Sequence, residues 1–95
     1  MENKAPKQRR DQVIMEAQRL INGDRRSAYG DTTFETMALM LSAYLRVEVK
    51  PYQVAEIMAL FKIARNAHKP KLDSYVDGIG YLALAAEEAF KGDIE

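Results

Sequence analysis

Apolar residues recur at helical spacing in four successive segments of the chain. Val13, Ile14, Ala17, Leu20 and Ile21 fall on one stripe, the pattern of a helix that turns one face to a core. The spacing predicts a helix over 7–21, stopped at Asn22-Gly23 because glycine tolerates a left-handed cap. A second helix is predicted to start near Thr33. Thr32 and Glu35 have capping-box spacing, in which each side chain satisfies a free backbone N–H of the first turn. Its body, from Met37 to Leu45, is apolar nearly all the way round, which demands cover on more than one side. Lys50-Pro51 opens a third helix predicted over 51–67, since proline suits the first helical position. Val54, Ile57, Met58, Phe61 and Ala64 make one apolar face of it, and Ala59, Leu60, Ile63 and Ala67 a second, so this helix is also expected to be sandwiched. His68-Lys69-Pro70-Lys71-Leu72 reads as a turn, because the residue before a proline is pushed out of the helical region. A fourth helix is predicted over 73–90, with Gly92 beyond its end. Gly78 and Gly80 inside it cost helix propensity, roughly 1 kcal/mol each against alanine, and are expected to admit a close neighbour. Val47-Glu48-Val49 alternates but is too short to read as a strand.

These elements predict an all-α fold, a compact four-helix bundle. The 95 residues read as a single domain over 1–95, with residues 1–6 as a flexible tail. A chain of this size buries only a thin core. Together with the apolar excess of the second and third helices, that predicts a bundle completed by homo-oligomerisation. Hydrophobic residues make up 47% of the chain, too many for a disordered segment.

Charge and cysteine usage narrow the function classes. The formal net charge is zero, so no overall field draws the chain to nucleic acid or membrane, and attraction must be local. Lys4, Lys7, Arg9 and Arg10 form a short basic stretch, weak grounds for nucleic-acid binding. The absence of cysteine excludes disulfides, thiolate metal sites and thiol catalysis, and suits a reducing cytoplasm. No apolar run approaches the roughly 18 residues of a membrane span, and residues 1–10 have no apolar stretch of a secretory signal behind them.

Two sets of side chains carry candidate chemistry. If the third and fourth helices pair antiparallel, Glu56, Asp73 and Asp77 could converge, and three carboxylates plus water can hold Mg²⁺. The alternative is structural: Asp73 caps its helix, and Asp77 or Glu56 pairs with Lys62 or Arg65. Lys62, Arg65 and Lys69 share one stripe of the third helix and could hold a phosphate, with Arg25 and Arg26 reaching it from the loop that follows the first helix. Tyr29 on that loop could stack on a base. The alternative there is a solvated face balanced by Asp24, Asp31 and Glu48. His68, the single histidine, reads as a residue near a helix C-terminus facing the dipole rather than a zinc ligand. Ser27, Ser42 and Ser74 lack a nearby base, so nucleophilic catalysis has no support.

The string Arg26-x-x-Tyr29-Gly30-Asp31, then Leu41-Ser-Ala-Tyr-Leu45, then Val54-Ala-Glu-Ile-Met-Ala-Leu-Phe-Lys62-Ile-Ala-Arg65, then Asp73-Ser-Tyr-Val-Asp77-x-x-Gly80-Tyr81 resembles a small helical domain of unknown function common in phages and prophages. That domain is in turn similar to the MazG-like all-α nucleotide pyrophosphohydrolases, which hold Mg²⁺ on Glu-x-x-Glu and Glu-x-x-Asp motifs of adjacent helices. The resemblance implies a MazG-like helical fold and a nucleotide-like ligand. The chain departs from the enzymatic pattern. No Glu-x-x-Glu stands at the expected place, and the polar positions after Glu56 are the cations Lys62 and Arg65.

The leading expectation is therefore a phage-type cytoplasmic module that binds a phosphorylated, nucleotide-like molecule without a cofactor. Its site would be Arg25, Arg26, Tyr29, Lys62, Arg65 and Lys69. Sequestering a nucleotide signal of host defence is a purpose suggested by the phage context alone. One alternative is a Mg²⁺-dependent nucleoside triphosphate pyrophosphohydrolase with Glu56, Asp73 and Asp77 on the metal. Another is an adaptor that works through its apolar faces.

Overall fold

The structure, a computed structural model, describes residues 8–23 and 32–91. Among them every regular element is an α-helix: α1 (Arg9–Asn22), α2 (Thr33–Leu45), α3 (Pro51–Ala64) and α4 (Leu72–Ala89). The expected all-α class and the four helices are present. The predicted tail and the loop carrying Arg25, Arg26 and Tyr29 lie outside the described residues.

The centre of the molecule is the α3–α4 hairpin. Pro51 stands in the first turn of α3, and the Gln53 side chain accepts a hydrogen bond from the Lys50 backbone N–H at 2.9 Å. The helix stops at Ala64, short of the predicted 67. Beyond it the backbone tightens, with Asn66 N–H donating to Ile63 C=O at 2.9 Å and Ala67 N–H to Ala64 C=O at 3.1 Å, the spacing of a 3₁₀ turn. Asn66 then holds the turn closed, its side-chain oxygen accepting from the Lys71 N–H at 2.9 Å. An asparagine side chain competes in this way with the helical ladder, which explains the early stop. Lys69 is consequently in the turn and not on the α3 stripe, and His68 is an exposed turn residue.

Two glycines let α4 lie between its neighbours. A Cβ on Gly78 would stand 3.3 Å from Ile63 Cδ1 of α3, and one on Gly80 would stand 3.0 Å from Ile21 Cγ2 of α1. Two residues apart on a helix means nearly opposite sides, so each glycine opens a different flank. The close neighbours expected at these positions are the helices of the same chain. On the α3 flank, Tyr81, Leu84 and Ala85 join Val54, Ala55 and Ala59 of α3 with Phe34 and Ala38 of α2 in the main core. On the α1 flank, Val76 joins Val13 and Ala17 in a smaller one.

Helix α2 is held at both ends and bare along one side. Ser42 accepts a hydrogen bond from Val49 N–H at 2.8 Å and donates to Val49 C=O at 3.3 Å, which folds the 46–50 linker back onto α2. Lys91, after α4, lies 3.9 Å from Glu35 and 3.2 Å from Glu88. The expected Thr32–Glu35 capping box does not form: Thr32 has ψ 0° and makes no side-chain cap bond, whereas capping requires an extended residue. The left-handed residue is Arg46, φ 59°, after α2. Gly23, after α1, has φ −115° instead of the expected left-handed cap.

The shortest dimension of the molecule is 20 Å, about two helix diameters. Neither α2 nor α3 is sandwiched by the described residues. Leu39, Met40 and Tyr44 of α2 and Ile57, Leu60, Phe61 and Ile63 of α3 are exposed. Helix α3 buries one arc, Val54, Ala55 and Ala59, which takes one residue from each predicted face and leaves the rest of both partly or largely exposed.

Candidate functional site

The cations and acids of the hairpin are arranged by the α3–α4 pairing. Lys62 and Asp77 face each other across it, Nζ 3.3 Å from Oδ2, with side chains only 17% and 14% exposed. A charge this far from water needs an opposite partner, and Asp77 is the partner of Lys62. This is the structural alternative raised for Asp77. It leaves the Lys62 ammonium largely neutralised as a phosphate contact. Glu56 is exposed, as is Asp73 in the first turn of α4. No group of three His, Cys, Asp or Glu side chains that could hold a metal ion exists among the described residues. The expected convergence of Glu56, Asp73 and Asp77 is therefore corrected. The antiparallel hairpin puts Asp77 opposite Lys62, and the other two carboxylates point to solvent.

Arg65 and Lys69 are both exposed on the α3–α4 turn. The Asn66 side-chain nitrogen close by is buried and finds no hydrogen-bond partner among the described residues. Arg25, Arg26 and Tyr29 of the predicted set lie outside those residues.

Next to this turn is an open groove of about 480 Å³ between the first halves of α1 and α4. The two helices run in the same sense: Arg9 and Arg10 lie across the groove from Lys71 and Leu72, and Ile21 further along meets Gly80. The amphipathic stripe of α1 supplies Val13 and Ile14 to the floor. Leu72, Tyr75 and Ile79 come from α4, where spacings of three, four and seven share a face. Arg9, Arg10 and Lys71 also line it, and no carboxylate among the described residues does. Arg9 also donates a hydrogen bond to the Gln12 side chain on its own helix, and an apolar trough with cationic residues in its lining suits a small amphipathic anion. The tyrosine ring offers an aromatic surface and the guanidinium groups suit phosphate oxygens.

Sequence reasoning passed over this groove. It weighed Arg9 and Arg10 only as part of a basic tail and placed Lys71 in a turn. The available signal was the α1 stripe itself, since Arg9 and Arg10 lie one helical turn before its first apolar pair, Val13 and Ile14.

Residues 12–89 match a described family, the domain of unknown function DUF6378. The chain belongs to the DUF6378 family. The matched stretch takes in most of α1 and all of α2, α3 and α4. Within the DUF6378 stretch lie the groove floor, Lys71 and the Lys62–Asp77 pair, while Arg9 and Arg10 precede it. The chain is also similar to the gene 55 protein of Mycobacterium phage D29, 37% identical over 91 residues, covering 90% of this chain and 58% of that protein. It is 40% identical over 78 residues to the gene 55 protein of Mycobacterium phage L5, covering 76% of this chain and 49% of that protein. The chain thus spans about half the length of these relatives. No solved structure matches it. No described helix is long and apolar enough to cross a membrane.

Proposed function

We propose that this phage-type DUF6378 protein binds a phosphorylated, nucleotide-like small molecule. The groove between α1 and α4 is the place we assign to it, with the base against Tyr75 and the apolar floor and the phosphates toward Arg9, Arg10 and Lys71. One observation carries the reading: an apolar trough whose charged lining residues, among those described, are all cations. Arg65 and Lys69 belong to the same proposal as outer phosphate contacts because they flank the turn that supplies Pro70 and Lys71 to the groove. Arg25, Arg26 and Tyr29 are kept in it on their chemistry alone. Lys62 has the weakest claim, since Asp77 already neutralises it. In a phage, the purpose we attach to such binding is sequestration of a nucleotide signal of host defence. A MazG-like ancestry is part of the same reading and rests on the sequence resemblance. Magnesium-dependent hydrolysis is not carried further, because Glu56, Asp73 and Asp77 do not assemble into a metal-holding group.

Fluorescence titration with trinitrophenyl-ATP, in chelator and in Mg²⁺, tests the proposal. The expected result is saturable binding that persists in chelator, weakened about 10-fold or more by Arg10→Ala and by Tyr75→Ala. Absence of binding, or equal affinity in Arg9→Ala, Arg10→Ala, Lys71→Ala and the parent, would reject the groove. A loss confined to Arg26→Ala would move the site to the loop.

A further inference from the structure

Helix α2 presents a side that water does not suit. Glu35 is the one charged residue in its 13. Its buried residues, Phe34 and Ala38, face the core, and the opposite side carries Thr36, Leu39, Met40, Ala43 and Tyr44, all exposed, with Val47 just beyond the helix end. Leu39 is 74% exposed, Met40 65%, Tyr44 83% and Val47 60%. Monomeric proteins seldom leave a contiguous apolar patch of more than a few hundred Å². At roughly 200 Å² for a large side chain, these four alone expose on the order of 550 Å².

We infer that this face of α2 is covered by the same face of a second copy, forming a two-fold symmetric dimer. Two observations select a second copy over another partner. The first is charge. In a two-fold interface each residue near the axis meets its own counterpart, so a charge there would face its like. The outward side of α2 has none from Thr36 to Leu45. The second is area. With the smaller exposed contributions of Thr36 and Ala43, two such faces bury on the order of 1,200 Å² together, the lower end of stable specific interfaces. Ala43 is central to the face, with Leu39 and Met40 one turn before it and Val47 one turn after. An antiparallel crossing at Ala43 sets Leu39 of one copy beside Val47 of the other, and the small side chain allows the two backbones to approach.

The test is the mass of the intact chain by light scattering and sedimentation up to roughly 200 µM, ample for a micromolar dimer. The expected mass is twice the 10.8 kDa of one chain. Leu39→Glu and Tyr44→Lys each place a charge against its like and are expected to weaken self-association at least ~100-fold. Both positions face solvent in the single chain, so far-UV circular dichroism is expected to stay helical. The chain has no cysteine, so Ala43→Cys provides a single thiol. Oxidation is expected to link it into a covalent dimer, whereas Gln18→Cys on the exposed side of α1 stays monomeric. A monomeric parent across this range overturns the inference. So does a dimer that survives both charge substitutions, or one that cross-links through Gln18→Cys and not Ala43→Cys.

Discussion

Lys62 and Asp77 are the charged pair most withdrawn from water among the described residues, and their geometry makes a specific claim about stability. A buried pair contributes modestly overall, because removing two ions from water offsets most of their attraction. Breaking it from one side is different, since the remaining charge keeps its desolvation and loses its partner. Asp77→Ala is therefore expected to destabilise the fold by about 2–4 kcal/mol, at the lower part of the range for buried pairs because both groups retain some exposure. Replacing both at once, with Lys62→Met and Asp77→Leu, is expected to recover most of that loss, because no ion is then left in the hairpin. Urea unfolding of the three variants separates these outcomes. If Asp77→Ala unfolds at the parent's midpoint, the pair is a surface contact with no structural weight. The same substitution would be read as loss of a metal ligand if only activity were measured, so stability has to be measured first. Arg46 makes a smaller point at this scale. It holds a left-handed φ of 59° after α2 with no glycine to ease it, and nothing in the sequence pattern announced it.

At the scale of elements, α4 is fitted between α3 and α1 by two glycines that are chemically identical and structurally unlike. Alanine at either gains roughly 1 kcal/mol of helix propensity. At Gly78 the new methyl meets Ile63 Cδ1 at 3.3 Å, the far end of a side chain that is itself exposed and free to turn away. At Gly80 it meets Ile21 Cγ2 at 3.0 Å, a branch fixed directly to a stiff Cβ. Gly78→Ala is expected to be neutral to stabilising by up to ~1 kcal/mol. Gly80→Ala is expected to destabilise by about 1 kcal/mol, as overpacking outweighs propensity. Thermal melts of the two should move in opposite directions, and equal shifts would contradict the assigned flanks. These cases also mark what the pattern of residues could and could not reveal. Helix positions were legible because apolar periodicity is local: α1, α2 and α4 lie within two residues of their predicted bounds at each end. The α3 end was not, because it depends on the Asn66 side chain finding Lys71 across the turn. The burial of each face was not legible either. Phe61 shares a stripe with Val54 and Leu60 shares one with Ala59, and only tertiary packing decides which member of each stripe is buried. The groove was missed for the same reason, since it needs α1 and α4 to lie side by side in the same sense.

For the whole molecule, the composition of the core and the exposure of α2 bear on one another. Four of the eight residues in the main core are alanines, Ala38, Ala55, Ala59 and Ala85, and Val54 is the largest side chain almost wholly removed from solvent. Alanines let helices approach closely but bring little apolar area with them, and burial stabilises by about 25 cal/mol per Å². Phe34 of α2 sits in that core, but Leu39, Met40 and Tyr44 of the same helix are on the outside, where a lone chain gains nothing from them. A fold built this way derives much of its stability from association, and a protein that dimerises only when folded becomes more stable as its concentration rises. The melting temperature of the parent chain is accordingly expected to climb by several degrees between roughly 5 and 200 µM, since a change of about 1 kcal/mol moves the midpoint of a domain this size by about 4–8 °C. Leu39→Glu is expected to melt at the parent's low-concentration value and to show no such climb. Scanning calorimetry across that range decides it. A parent whose midpoint is independent of concentration would mean that the alanine-rich core suffices alone, and that the exposed face of α2 does not contribute to holding the chain folded.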